Sequence, residues 1–494
     1  MKKIILAVTA AFLLASCENN EELNISSTEN QQILSKSEIN STIKNTIAQT
    51  GEFNWKSTNA FTIWSAVSYA DNLLTVGYVD EASSKGENSN GTASHIISLV
   101  NELESLAKAK SEKSPVIDET LKVIDIEVTQ LETIEALLAD SSVRYVEPAF
   151  YSMVEETEYQ AKSDLLNLGC GFYNVELEEE DYRTVAPGAL VPWTYDLHKI
   201  SDAWEYSTGE GVTIGIIDTG LSPEQTLMSS NFNDGYSANR TVESYGTFVD
   251  SFWWWSSETD GVEDKCGHGS CMSAIATAPR NDNNLPLGVA YNSNLVMYRG
   301  VENAFIDTYH EINGAANAFK ALGNRADVNI ISMSLGTLIT VSKIKDAVKY
   351  AYNKGKLIVT AGGSSTSYTK GVLGVIFPAN MDETVAVTGL IEGEYTACDI
   401  CHSGSAIDFT IQIERKESGK KLPVLSYYEG AANYIGGSSS ATAATAGIAA
   451  LVWSKNPTWT RDQVIEKLKS SAEFYPNKDD NFGYGNIDAL KAVN

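Results

Sequence analysis

Apolar residues recur along this chain in two rhythms. Short, nearly continuous apolar runs at residues 212–217, 295–298, 328–333, 357–359 and 383–388 alternate with stretches of helical spacing at 315–322, 342–354, 442–453 and 461–471. Such runs predict strands buried on both faces. Their alternation with helices predicts an α/β domain, a mostly parallel sheet covered by helices on both faces. This pattern fills residues 185–494. A smaller unit precedes it over residues 52–154, with strands predicted at 73–79, 121–128 and 143–154 and helices at 95–109 and 131–138. That order predicts a small α+β, ferredoxin-like layer. An acidic stretch at 155–164 makes residues 155–184 a linker, and the polar residues 18–51 read as a flexible tether.

The N-terminus carries its own pattern. Lys2 and Lys3 precede an apolar run over 4–14, too short to span a bilayer as a helix. Leu14-Ala15-Ser16-Cys17 follows and resembles the lipobox of bacterial lipoproteins. The resemblance implies that residues 1–17 hold a lipoprotein signal, that Cys17 carries lipid, and that the chain is exported to the cell envelope, at the outer membrane or cell surface. An ordinary signal peptide containing a Cys is the plainer alternative. No other run approaches about twenty apolar residues, so membrane contact is expected through the lipid alone.

Composition changes the picture little. Of 494 residues, 43% are hydrophobic, enough for a large core, and the formal net charge of −28 argues against nucleic acid as a partner. Six cysteines leave five once Cys17 is assigned to lipid, so at least one thiol stays free or pairs elsewhere. Cys398-x-x-Cys401 reads as a local disulfide or two free thiols, with no second such pair to complete a zinc site.

Three local patterns carry chemistry. Gly215-Ile216-Ile217-Asp218-Thr219-Gly220 places a carboxylate at the end of a buried strand, where ligands bind in open α/β sheets. Of five histidines, only His268 lies between two glycines, ahead of a helical stretch at 272–277. Gly436-Gly437-Ser438-Ser439-Ser440-Ala441-Thr442 runs into an apolar helix that must be buried, and developing negative charge is favoured at a helix N-terminus.

With these three motifs in the order Asp, His, Ser, residues 185–494 resemble the subtilisin-like (subtilase) serine peptidases. The resemblance implies a serine endopeptidase with Asp218, His268 and Ser439 as catalytic triad, Ala446-Gly447 fixing the register at Ser439. Ser332-Met333-Ser334-Leu335-Gly336 resembles the family's substrate-binding edge strand, so Ser334, Leu335 and Gly336 are expected to pair with the backbone of polypeptide substrates. Residues 72–154 are similar to the family's inhibitory pro-domain, a partner that caps the cleft until a cut between 155 and 171 releases it. Required cofactors are not implied. The oxygen-rich turn at 281–284 resembles a calcium loop of some relatives, with Asp282 and Asn284 as candidate ligands, or is a plain surface turn.

The chain also departs from the family. Thr360-Ala361-Gly362-Gly363-Ser364 lacks the Asn that usually supports the oxyanion hole, and its place falls on Gly363 or Ser364. Losing one such donor costs about 10²–10³ in rate. Cys271 stands where the family has a second His. Cys266 and Cys271 flank His268, and either bridge or stay buried and inert. The run Phe252-Trp253-Trp254-Trp255 is a binding patch or packs on the pro-domain or core. Two functions stay open: an active endopeptidase made as a self-inhibited precursor, or a weak or inactive pseudoprotease acting as a surface binding protein.

Overall fold

The computed structural model describes residues 32–79, 90–107, 113–154, 169–365 and 374–494. Leu34–Asn494 form one compact unit; of the second unit, Met1–Ile33, only the last two residues are described. The signal and lipid site expected over 1–17 therefore lie outside the described residues.

Seven strands make the central sheet, in the spatial order Phe409–Glu414, Val385–Ile391, Leu357–Ala361, Ile330–Met333, Thr213–Asp218, Asn294–Arg299 and Val242–Gly246. Every neighbouring pair is parallel. Parallel strands need crossovers, and the crossing helices cover both faces. On one face Ile214 and Ile216 pack with Met272 and Ile275 of His268–Thr277 and with Ile448 and Leu451 of Gly437–Lys455. On the other, Ile217 and Ile331 pack with Phe319 and Leu322 of Tyr309–Asn324 and with Val348 of Ser342–Asn353. The strand Thr213–Asp218 is buried at all six positions, which is why its sequence runs apolar without alternation.

The smaller unit is a four-stranded antiparallel sheet ordered Val116–Asp118, Val123–Glu127, Leu73–Tyr78, Val143–Pro148, with helices Asn90–Leu106 and Leu131–Ala139 in the crossovers. That is the ferredoxin-like order. The flexible tether expected over 18–51 is corrected for its second half. Lys36–Thr50 is a helix with a Ser35–Glu38 capping box, and its Ile39, Ile43 and Ile47 are buried in the small unit's core. Residues 149–154 are also not strand; Tyr151 and Met153 pack back onto that core instead. Among the described residues no helix is long and apolar enough to cross a membrane.

The small unit docks through buried and half-buried polar groups onto the helices Tyr309–Asn324 and Ser342–Asn353. Asp125 takes the Lys343 ammonium and, at 2.8 Å, the Tyr309 hydroxyl. Arg144 pairs with Asp346 at 2.9 Å. Glu147 accepts the Ser342 amide at 2.8 Å, at the start of the second helix. Burial pushes the Glu147 carboxyl up to about 7, against the Ser342 hydrogen bond that favours its charged form. The folded chain thus keeps a proton that an unfolded chain loses at lower pH. Stability falls as pH rises from the ordinary carboxylate range towards about 7, by roughly 3 kcal/mol. Glu147→Gln, whose carboxamide oxygen still accepts the Ser342 amide, is expected to narrow the difference in melting temperature between about pH 5 and about pH 8.

Candidate active site

Asp218 ends its strand at the carboxyl edge of the sheet and is fully buried. Its Oδ1 accepts Nδ1–H of His268 at 2.7 Å and the Thr219 amide at 2.8 Å. A carboxylate can only accept here, so the proton sits on Nδ1 and Nε2 is left as the basic nitrogen. Burial pushes the imidazole pKa down. The Asp218 charge and hydrogen bond, helped by the charge of Asp264, outweigh it and hold His268 above its ordinary value.

A second buried carboxylate organises the turn. Asp264 Oδ1 accepts from the Thr219 hydroxyl at 2.9 Å and from the amides of Cys266 and Gly267 at 2.9 and 2.7 Å. Its Oδ2 accepts the amide and hydroxyl of Ser270 at 2.9 and 2.7 Å. Thr219 Oγ1 in turn accepts the Gly269 amide at 2.8 Å. One side chain thereby ties the turn after Asp218 to the start of the helix His268–Thr277.

Ser439 lies in the first turn of the helix Gly437–Lys455, where backbone amides have no intrahelical partner. Its neighbours are sealed: Ser440 is fully buried and donates to the Gly436 carbonyl, and Ser438 is 1% exposed and accepts the Gly363 amide. Ser439 alone of the three is half-buried rather than buried. Its hydroxyl donates to the Ser334 carbonyl at 3.2 Å, and no hydrogen bond to His268 is formed among the described residues. Both side chains line one cleft, together with Ser334, Leu335, Gly336 and Ser364. A basic imidazole held by a buried carboxylate, facing the same cleft as a reachable hydroxyl, is a constellation able to move a proton from that hydroxyl.

The subtilase family profile matches residues 209–485, a span holding all of these residues. The chain belongs to the subtilase family. It is similar to Subtilisin E of Bacillus subtilis (strain 168), 28% identical over 346 residues that make up 69% of this chain and 79% of the relative. A subtilisin of Bacillus pumilus is 30% identical over 268 residues, 54% of this chain and 86% of that one. Among solved structures, fervidolysin from Fervidobacterium pennivorans shares the fold with a TM-score of 0.58 at 17% identity, covering 85% of this chain and 60% of that one.

This subtilase has no room for the missing Asn. Gly363 has φ +121°, and a Cβ there would stand 2.6 Å from Nδ1 of His402. The two residues expected in its place, Gly363 and Ser364, both line the cleft, but Gly363 has already given its amide to Ser438 Oγ at 3.1 Å. The turn at 281–284 is stitched internally, Asn281 Oδ1 accepting the amides of Asn283 and Leu285. Among the described residues no three His, Cys, Asp or Glu side chains converge as a cluster. Cys398 and Cys401 are bridged. The bridge between Cys266 and Cys271 is corrected: Cys266 bonds Cys170, and Cys271 is a buried free thiol inside the His268 helix. The aromatic run is divided. Trp254 is buried against Leu73, Ala149 and Tyr309, and Lys113 of the small unit sits 4.0 Å over the Trp255 ring, while Phe252 is 79% exposed.

Asp264 and the segment around Cys170 escape a reading of the sequence. Asp264 sits between Glu263 and Lys265 in a polar stretch and looks solvated. The only signal was its place four residues before His268.

Proposed function

We propose that this subtilase is a serine endopeptidase, made as a self-inhibited precursor, with Ser439 as nucleophile, His268 as general base and acid, and Asp218 as the group that orients the imidazole. The observation that carries this reading is the pairing of His268 with a buried carboxylate at 2.7 Å, on a cleft shared with the one reachable serine of its run. Ser439 Oγ attacks the peptide carbonyl as His268 Nε2 takes its proton. The proton then goes to the leaving amine, and water releases the acyl group by the same route. The developing oxyanion is met by the Ser439 amide at the helix N-terminus and by the Ser364 hydroxyl. Substrate backbone adds as a strand along residues 334–336.

The small unit is the pro-domain in this reading. Its last described residue, Val154, packs on Phe305 and Leu338, two residues that line the same cleft. The chain then reaches the stretch in which the maturation cut is expected. Export, lipid attachment at Cys17 and release of the mature domain belong to the same proposal. The hydrogen bond from Ser439 to Ser334 and the absent Asn favour one second reading, a binding protein on a silent peptidase fold.

Asp264 is a positioning residue in this mechanism. Asp264→Asn puts an amide group among five donors and removes a charge that raises the His268 pKa. We expect kcat to fall about 10–100-fold with KM little changed, and the acid limb of the pH profile to move to lower pH. A loss of melting temperature with an unmoved pH profile would show a structural role alone.

The experiment that tests the function is intact-mass measurement of the purified chain and of Ser439→Ala during incubation. The wild type is expected to split between residues 155 and 171 while the variant stays whole. Two intact chains would contradict self-processing and favour the binding reading.

A further inference from the structure

A short strap crosses the face of His268. Gly169 lies so close that a Cβ there would meet the imidazole Cδ2 at 2.5 Å and Nε2 at 3.3 Å, and its φ of +74° also favours glycine. Gly169 lines the same cleft as His268 and Ser439. The next residue, Cys170, is bonded to Cys266, two residues before His268. Gly171 donates its amide to the Cys266 carbonyl at 2.8 Å, and a Cβ on Gly267 would stand 2.6 Å from the Gly171 carbonyl oxygen. Backbone thus lies on backbone with no side chain between.

Downstream of the disulfide and the Gly171 amide, the Ser426 hydroxyl donates to the Tyr173 carbonyl and anchors the strap further. Cys170 and Gly171 are half-buried and Gly169 is exposed. Downstream, Phe172 and Tyr173 are 45% and 54% exposed; Phe172 touches Tyr427, and Val175 donates to Ala432. Upstream lies the stretch where the maturation cut is expected. Once that cut is made upstream of Gly169, the disulfide is the covalent cross-link that ties the new chain end to the turn before His268.

We propose that the Cys170–Cys266 disulfide is a thiol-exchange site whose redox state sets access to the leaving-group side of the cleft, its reaction partner being a dithiol reductant. This rests on the assignment of Ser439 and His268 as the reacting pair. The leaving amine must take its proton from Nε2, so substrate residues beyond the scissile bond run past the imidazole, where Gly169 stands. Oxidised, the strap leaves room for small leaving groups. Reduced, it lifts and admits extended polypeptide. A dithiol attacks the sulfur of half-buried Cys170 as a thiolate, forming a mixed disulfide and expelling Cys266 as a thiolate that takes a proton. The reductant's second thiol then closes its own disulfide and frees the Cys170 thiol. Two electrons and two protons enter the protein, and the reductant leaves oxidised.

The test compares two substrates: a peptide anilide, with no residue beyond the scissile bond, and an internally quenched peptide extending on both sides of it. Dithiothreitol is expected to raise kcat/KM for the quenched peptide about tenfold or more and for the anilide less than about twofold. The Cys170→Ser/Cys266→Ser chain should show the raised value without reductant. Cys398→Ser/Cys401→Ser, which keeps the strap bridge, should still respond to dithiothreitol. Anilide hydrolysis with no selective gain for the quenched peptide overturns the latch and leaves the peptidase reading standing. A fall for both substrates in the Cys170→Ser/Cys266→Ser chain overturns it in favour of a brace for His268. No hydrolysis of either substrate in any state removes the peptidase reading, and the latch with it.

Discussion

His268→Ala is expected to lower kcat for peptide hydrolysis by about 10⁵–10⁶. Among the described residues no other group lining the cleft can take over as base. His402 is the one other histidine lining it, but it is engaged at both nitrogens, with the Gly374 carbonyl at 3.0 Å and the Ser365 hydroxyl at 2.9 Å. Burial also depresses its pKa, although the Gly374 carbonyl favours the charged form. His402→Ala is therefore expected to act through cleft shape alone, at about tenfold or less. Single-turnover kinetics on one peptide, with wild type and both variants, separates the two histidines.

Asp218→Asn is expected to cost about 10⁴ in kcat and to change the pH dependence as well. Burial pushes the His268 pKa down, and the carboxylate is the largest effect holding it up. Without that charge the imidazole stays neutral to lower pH, so the acid limb of kcat/KM moves down while the plateau falls. The carboxamide can also donate towards Nδ1, which favours the tautomer whose proton sits on the wrong nitrogen. A lower plateau with an unmoved limb would mean that Asp218 does not set the His268 pKa. The pH profile of kcat/KM reads both effects.

The core of this fold was legible because its central strands are buried on both faces and therefore run apolar. The edge strands were not. Val242–Gly246 has no buried residue, and Phe409–Glu414 carries Thr, Gln and Glu among its apolar residues. An edge strand has a neighbour on one side only, which relaxes the demand for a continuous apolar run. The helix Lys36–Thr50 hid for a related reason. Its apolar stripe is three isoleucines at a spacing of four within a polar stretch, and the Ser35–Glu38 capping box was the signal that marked its start.

The site was legible in part. Asp218, His268 and Ser439 lie within short motifs at strand and helix ends, so local pattern sufficed to nominate them. Asp264 and Cys170 act through contacts between segments, Asp264 with Thr219 and Cys170 with Cys266 across a sequence separation of 96. Neither has an apolar rhythm or motif to announce it. The crowding of His402 against Gly363 was likewise invisible, because it joins two loops whose approach only the folded chain reveals.

The most direct test of the nucleophile is reaction of the full chain with a fluorophosphonate, followed by peptide mapping of the adduct. A single phosphonylated residue at Ser439, absent after Ser439→Ala and lost with His268→Ala, is the expected result. No adduct, or one on Ser438 or Ser440 that survives Ser439→Ala, would contradict it.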